Sequence, residues 1–390
     1  MVPWLRSHGY SPSQAGLVVA VVFGAAMAAN PILGSISDRV AAPGRMITAA
    51  IIIGAAAFAA MPLAVTSFPL LVVLAGVYAV TVASLPGVLD SWILSRREEV
   101  PGLQYGIARG MGSLGFAGGG IVLGSLTDTM GIGVMFPSFV ITTGIAAVLT
   151  WIATRRFVRE RRERDASQRP HRDQVTQVPD PLAPEVPSGM RNSRFVAALR
   201  AVASNRPYLV LIAGAFLGFS GLRAGLTFLP YLFDEVGGTV GQVGLAHSIG
   251  ALSEIPFFMG SAILHRRVRG ARLISFVLVL FGVRLLAYTW IPTPGGILAL
   301  QLSHGLTFGI FMATTVDYIH RIAPPEHRAF FQTIGPATFF GAGSIVGSWI
   351  GGLLMEATSV VWLYRIAAVI ALIGAPIPLF AGPADPDRRR

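Results

Sequence analysis

The sequence contains no cysteine and no lysine. The absence of cysteine excludes disulfide bonds and thiolate metal sites. The absence of lysine excludes a phosphate-binding Gly-Lys-Ser/Thr loop, so the chain has no such site for ATP. Outside its apolar segments the chain has no stretch large enough to hold a catalytic pocket. We therefore expect neither an enzyme nor a cofactor or metal site.

Charged residues are scarce as well. They make up 13% of the 390 residues, whereas soluble domains carry about 25%. Hydrophobic residues make up 53%. This composition predicts an all-α polytopic membrane protein in contact with a lipid bilayer along most of its length.

Apolar runs long enough to cross a bilayer, about 20 residues each, predict about eleven transmembrane helices. They fall near 12–36, 46–64, 68–95, 105–127, 132–154, 206–233, 239–264, 272–290, 295–320, 329–355 and 359–381.

The net charge is +11, and arginine is the only permanently positive side chain, because there is no lysine. The arginines lie almost entirely in alternate loops, whereas the other loops hold Asp128, Asp234, Glu235 and Glu356. This is the distribution of the positive-inside rule, so the arginine-rich loops and the C-terminus are expected to be cytoplasmic in a cell (inner) membrane. The same placement argues against a nucleic-acid partner.

This topology divides the chain into an N-terminal transmembrane half (1–154), a cytoplasmic linker (155–205), a C-terminal transmembrane half (206–383) and a cytoplasmic tail (384–390). The linker is rich in arginine and proline, which is typical of a mobile tether. Its last part, 193–205, has the period of a short interfacial helix. The arginines are interpreted as topology determinants, with binding of anionic lipid as the alternative.

The first residues, 1–11, fall on the outer side without any signal that explains their export. The sequence therefore predicts that one N-terminal helix is missing, through a late start codon.

The two halves carry a common glycine pattern at one offset (335 − 112 = 223), which indicates an internal duplication. Such small residues allow close helix packing in lipid. The matching sets are Gly112, Phe116, Gly118, Gly120, Gly124 and Ser125 with Gly335, Phe339, Gly341, Gly343, Gly347 and Ser348. Gln14-Ala-Gly16-Leu17 likewise recurs as Gln242-Val-Gly244-Leu245.

The first arginine-rich loop reads Gly34-Ser-Ile-Ser-Asp38-Arg39. It resembles the signature loop of the major facilitator superfamily. The motifs Glu254-Ile-Pro256 and His304-Gly305 resemble its subgroup of lactose permease-like, nucleoside:proton and phenylpropionate transporters. The resemblance implies two six-helix halves that rock around a central site, here with the first helix missing.

The resemblance also implies gating residues near the cytoplasmic helix ends. Asp38 with Arg39 would steady the outward-facing state. Asp90 and Arg109 are expected to act as gate residues, and Asp317 as a gate or cap residue.

Glu254 lies near the middle of an apolar helix. A charge there costs about 2.5–3.5 kcal/mol on insertion scales, so it marks a candidate functional site. Arg284 is also expected at mid-membrane depth, whereas Arg223 and His304 are expected in the outer parts of two further helices. We expect the four residues to share a hydrated cavity. A static ion pair that locks two helices is the alternative. His247 either shares the cavity or is a packing residue.

Arginine does not lose its proton, so Glu254 or His304 must carry any proton that moves. In lactose permease-like members of the resembled subgroup, the helix with this histidine carries a carboxylate one turn later. Thr307 occupies that position here. The sequence therefore favours Glu254 as the proton carrier.

The favoured hypothesis is a monomeric secondary transporter that imports a small polar metabolite (a sugar, nucleoside or aromatic acid) together with protons or sodium. One alternative is a proton-antiport exporter of drugs or metabolites. A second is a transport-inactive membrane sensor or interaction protein.

Overall fold

A computed structural model describes residues 1–40, 43–95, 105–172, 188–267 and 270–381. Within these ranges the chain forms α-helices joined by short turns, and no strand. The helices are α1 (Val2–Ser7), α2 (Pro12–Arg39), α3 (Pro43–Ala60), α4 (Phe68–Tyr78), α5 (Leu85–Ser95), α6 (Tyr105–Met130), α7 (Met135–Arg172), α8 (Ser188–Ser204), α9 (Arg206–Thr227), α10 (Leu229–Glu235), α11 (Val240–Arg267), α12 (Gly270–Tyr288), α13 (Pro294–Gln301), α14 (Ile310–Ile322), α15 (Arg328–Pro336), α16 (Gly343–Ala357) and α17 (Val360–Gly374).

Every apolar run that predicted a membrane helix is helical. Nine of the helical segments in the described ranges are long and apolar enough to cross a membrane. The other two predicted spans form α6 and α11, which are 26 and 28 residues long. The linker is partly helical, because α7 continues to Arg172 and the helix predicted for 193–205 is present as α8.

Three spans contain a wider π-helical turn in place of a regular α-helical one. These turns are Ala79–Ala83 between α4 and α5, Gly305–Gly309 between α13 and α14, and Ala337–Ala342 between α15 and α16. A π-turn rotates the side chains that follow it and is frequent at functional sites.

Successive spans alternate in direction, so the bundle has two chemically different ends. The end with Arg45, Arg155 and Arg272 is called the arginine-rich end, and the end with Asp128 and Glu356 is called the acidic end.

The two halves meet along two helix pairs, α2 with α16 and α6 with α11. Glycines at the acidic end let the backbones touch. A Cβ added to Gly124 would lie 2.8 Å from the Gly241 carbonyl oxygen, and one added to Gly352 would lie 2.6 Å from the Pro12 carbonyl oxygen. Backbone contact of this kind is what drives helix association in lipid, where hydrophobic burial cannot.

Helices α2 and α11 begin with the same kind of hydrogen-bonded N-cap. Ser11 and Gln14 form a reciprocal capping box at the start of α2. Thr239 and Gln242 make the equivalent pair of hydrogen bonds at the start of α11. The two caps are related by one offset (239 − 11 = 242 − 14 = 228), so the duplication extends to the helix caps.

A carboxylate from the opposite half binds each of these caps. Asp128, at the end of α6, holds the start of α11, and Glu356, at the end of α16, holds the start of α2. These two carboxylates also differ by 228 positions (356 − 128). The hydrogen bonds run from Ser11 Oγ (2.8 Å) and Ser13 N (3.1 Å) to Glu356, and from Thr239 Oγ1 (2.8 Å) and Gly241 N (2.8 Å) to Asp128.

We call these contacts the two carboxylate clasps. Each places a negative charge at a helix N-terminus, where the exposed backbone N–H groups and the helix dipole favour it. A third contact between the halves, the ion pair of Arg6 with Asp234, lies at the same end. The acidic end is therefore closed.

The contact between the halves does not continue to the arginine-rich end. On α6, Met111, Leu114 and Phe116 are 65%, 54% and 61% exposed. A Cβ added at Gly34 on α2 would meet nothing within 4 Å, and the same holds for Gly110, Gly112, Gly115 and Gly118 on α6. The described parts of the two halves are therefore separated along these segments, toward the arginine-rich end.

Removing both clasps should loosen the acidic end. The chain has no cysteine, so a single V19C substitution in the wall of a cavity near that end supplies a clean reporter. We expect D128A/E356A to raise the rate of V19C modification by a membrane-impermeant maleimide severalfold.

The matched control is E235A, because Glu235 is an exposed carboxylate near the acidic end that takes part in neither clasp. Equal rates in both backgrounds would show that the clasps do not hold this end closed.

Candidate functional site

Arg284 is the central residue of the candidate site. Its guanidinium is inside the C-terminal half, with only 4% of the residue exposed. Nη1 donates to His304 Nδ1 (2.7 Å) and Thr307 Oγ1 (3.2 Å), and Nη2 donates to Tyr288 Oη (2.9 Å) and Gln301 Oε1 (2.6 Å). Four oriented acceptors thus replace water at the two terminal nitrogens, whereas the buried Nε has no hydrogen-bond partner among the described residues.

His304 connects Arg284 to Glu254. The Nε2 atom of His304 lies 3.2 Å from Glu254 Oε1. Because a guanidinium can only donate, His304 Nδ1 must accept and carries no hydrogen. The hydrogen of the neutral ring is therefore on Nε2, where it can be donated to Glu254. The contacts fit a neutral histidine between a permanent cation and an ionised carboxylate.

Adding a proton to His304 and adding one to Glu254 would have different effects on this chain of contacts. A second proton on His304 would point an N–H group at the Arg284 donor and break that contact. A proton on Glu254 would leave the Arg284–His304 contact intact. Glu254 is 19% exposed as a side chain and His304 is 12% exposed, so Glu254 is also the more accessible of the two.

A glycine explains how the span that carries His304 comes so close to α11. Gly305 packs on the Ser253 backbone of α11, where any side chain would collide with the Ser253 carbonyl. The Gly305 N–H also donates to Ser253 Oγ at 2.8 Å, an interaction that a π-turn makes available by releasing backbone groups from the regular ladder. This contact fixes Glu254, the next residue of α11, beside His304.

Aromatic rings flank the same site. Phe308 stacks on His304, with centroids 5.3 Å apart and ring planes 11° apart. Phe340 contacts Phe308 and packs edge-on against Phe219. The site therefore combines a charged network with flat apolar surfaces, a combination suited to a ligand with both polar edges and apolar faces.

Arg223 and His247 lie in a different place. They line a cavity of about 350 Å³ near the acidic end, together with Val19 of α2 and Leu123 of α6. The Arg223 guanidinium stacks on the Phe23 ring of the other half at 4.0 Å, and its Nε has no hydrogen-bond partner among the described residues. The structure thus brings Arg284, His304 and Glu254 together and places Arg223 with His247 in a separate cavity.

The residues expected to act as gates are described only in part. Asp317 pairs with Arg321 one turn later on α14, at 2.5 Å, an arrangement that stabilises the end of this helix. Asp90 is half-buried on α5. The side chains of Asp38, Arg39 and Arg109 lie outside the described residues.

Sequence reasoning missed Tyr288, Gln301 and Phe308. Tyr288 follows Arg284 by one helical turn, a spacing that could have predicted the contact. Gln301 is a single amide in an apolar run and could have been identified as a buried polar residue. Phe308 carries no signal that separates it from the other phenylalanines.

The comparisons with known proteins agree with this architecture. A profile of the MFS_1 like family matches residues 1–366. The chain belongs to this family. It is therefore a multi-pass membrane protein and a transporter of the major facilitator superfamily.

Two relatives illustrate the range of the family. The chain is 27% identical over 357 residues to the maltose permease of Geobacillus stearothermophilus, covering 90% of this chain and 82% of the permease. It is 23% identical over 371 residues to the putative nucleoside transporter YegT of Escherichia coli (strain K12), covering 90% and 79%.

A solved structure shares the fold. The crystal structure of a mutant of the nucleoside transporter NupG superposes with a TM-score of 0.78 at 16% identity, covering 96% of this chain and 92% of that chain. The resemblance to the major facilitator superfamily and the all-α polytopic fold predicted from the sequence are thus confirmed.

The contact of Gly305 with Ser253 gives a testable prediction. G305A should force the π-turn away from α11, because its methyl group would overlap the Ser253 carbonyl. Overpacking of this kind costs about 1–3 kcal/mol. We expect a lower melting temperature in detergent.

The control is G295A near the start of α13, where a Cβ would meet nothing within 4 Å. An unchanged melting temperature for G305A, or an equal decrease for G295A, would contradict the proposed packing.

Proposed function

We propose that this protein is a proton-coupled symporter that imports a sugar or a nucleoside by alternating access. The observation that carries the proposal is the Arg284–His304–Glu254 chain. In this chain Glu254 alone can gain and lose a proton without breaking the other contacts.

The coupling would work through the charge of Glu254. When Glu254 is ionised, it accepts a hydrogen bond from His304, and its negative charge compensates the positive charge of Arg284. When Glu254 is protonated, the site keeps the Arg284 charge but loses its compensation by the carboxylate. Reorganisation between the two halves would then follow from protonation together with substrate binding.

The end at which the two halves are separated supports an inward-open state. By the positive-inside rule the arginine-rich end faces the cytoplasm. The closed acidic end would then face outward, and the structure would represent an inward-open state. Rocking of the halves about the midplane site would break the two carboxylate clasps and close the opposite end.

The substrate class rests on the site and on the relatives. Neutral polar molecules with a ring fit a site that has a carboxylate, a histidine and phenylalanine faces at its edge. The relatives include a maltose permease and a putative nucleoside transporter. These favour a sugar or a nucleoside over the aromatic acids that the sequence left open.

The central test separates coupling from binding. Proteoliposomes containing the wild type or E254Q are assayed with labelled maltose and labelled uridine. One proton that crosses a 100 mV potential with its substrate drives about 50-fold accumulation. We expect the wild type to accumulate one of the two solutes, and E254Q to lose accumulation while it still exchanges internal for external solute.

E235Q serves as the matched control, because it removes a carboxylate remote from the site, and it should behave as the wild type. Proton-driven accumulation by E254Q would refute the role of Glu254. Accumulation driven only by a sodium gradient would refute proton coupling, and the absence of any exchange of either solute by the wild type would refute the substrate class.

The direction of coupling has its own test. In right-side-out vesicles without an imposed gradient, addition of the transported solute should make a weakly buffered medium more alkaline, because symport removes protons from it. Acidification would instead identify an antiporter.

A further inference from the structure

The N-terminal half carries a basic cavity that the transport site does not use. It lies at the arginine-rich end between α3 and α7 and has a volume of about 800 Å³. Its lining includes four guanidinium groups and one indole, and no carboxylate among the described residues. The lining residues are Arg45, Trp151, Thr154, Arg155, Arg156, Val158 and Arg159.

The packing of the two helices builds this cavity. Gly44, in the first turn of α3, packs directly on the Thr154 side chain of α7. This close approach brings Arg45 next to Arg155 and Arg156, although more than a hundred residues separate them in the sequence. Gathering the charges of Arg45, Arg155 and Arg156 on one surface is unfavourable without a counter-charge, so the geometry favours an anion beside these three residues.

The surface of α7 next to the cavity indicates which kind of anion would bind there. Ile145, Val148 and Leu149 of α7 are 56%, 56% and 61% exposed, and Trp151 is 44% exposed. These side chains form a lipid-facing surface that leads to the cavity. The Arg155 guanidinium stacks on the Trp151 ring at 3.8 Å, at the level where tryptophan marks the membrane interface.

We infer that this cavity is a binding site for the phosphate headgroup of an anionic membrane lipid, with the acyl chains along the exposed face of α7. An amphipathic ligand fits both parts of the site, whereas free phosphate would use only the basic part. Bidentate contacts of arginine with phosphate oxygens would supply the recognition.

The site differs from a general excess of positive charge. The positive-inside rule accounts for arginines on the cytoplasmic side. It does not account for arginines of two different helices that line one cavity. Arg45 and Arg155 come from different spans, so a lipid held between them would also tie α3 to α7.

The test uses native mass spectrometry of the delipidated full-length protein in detergent. Phosphatidylglycerol and phosphatidylcholine with the same acyl chains are titrated separately, and inorganic phosphate is added as a competitor. We expect the wild type to bind phosphatidylglycerol in preference to phosphatidylcholine. The variant R45Q/R155Q/R156Q should bind phosphatidylglycerol at least about tenfold more weakly, since each basic residue contributes substantially to anionic-lipid binding.

R365Q is the matched control. Arg365 also stacks on a tryptophan, Trp362, at 5.1 Å, but at the acidic end, so its loss should leave phosphatidylglycerol binding unchanged. The single variants R45Q and R156Q are measured as well, and each should weaken binding on its own if the triple variant does not fold.

Three outcomes would overturn the inference. Equal binding of the two lipids by the wild type would leave no headgroup recognition. Undiminished binding of phosphatidylglycerol by the folded triple or single variants would place the lipid elsewhere. Displacement of phosphatidylglycerol by inorganic phosphate would identify a site for a free anion.

Discussion

The buried charge of Arg284 is the constraint on which the site depends. A guanidinium cannot give up its proton, so the protein must satisfy it with fixed acceptors. Tyr288 and Gln301 supply two of these, and His304 supplies a third only while its Nδ1 carries no hydrogen. The permanent charge of one residue therefore sets the protonation of a second residue and, through it, the hydrogen bond that reaches Glu254.

This constraint propagates into the backbone. His304 can contact Arg284 and Glu254 at once only if three helices approach closely, and Gly305 provides the approach to α11. The π-turn that begins at Gly305 changes the rotation of the helix beyond it. A regular α-helix would place Thr307 and Phe308 on other faces. The glycine and the π-turn are thus parts of the candidate site even though neither offers a functional group.

The sequence predicted the fold more completely than it predicted the site. Hydropathy and the alternation of arginine predicted each span, because both depend only on the transfer of side chains into lipid. The placement of Glu254, Arg284 and His304 on three different spans also followed from the hydropathy pattern. The partners of these residues did not, since contact depends on helix rotation, and the π-turn shifts that rotation. Arg223 shows the limit of this reasoning, because it was expected in the same cavity as Glu254 but stacks on Phe23 of the other half.

The duplication explains why the closed end is built from two reciprocal contacts. Because the two halves are related and face each other, the end of α6 meets the start of α11, and the corresponding end of α16 meets the corresponding start of α2. A carboxylate that caps the partner half therefore occurs in both copies, as Asp128 and Glu356. Such contacts are exposed and weak individually, and they lie far from the midplane, where a small rotation of one half produces a large displacement. An end that must close and reopen during transport is better held by weak contacts far from the axis of rotation than by a buried interface. The buried network around Arg284 lies within a single half, so it can stay intact while the halves move.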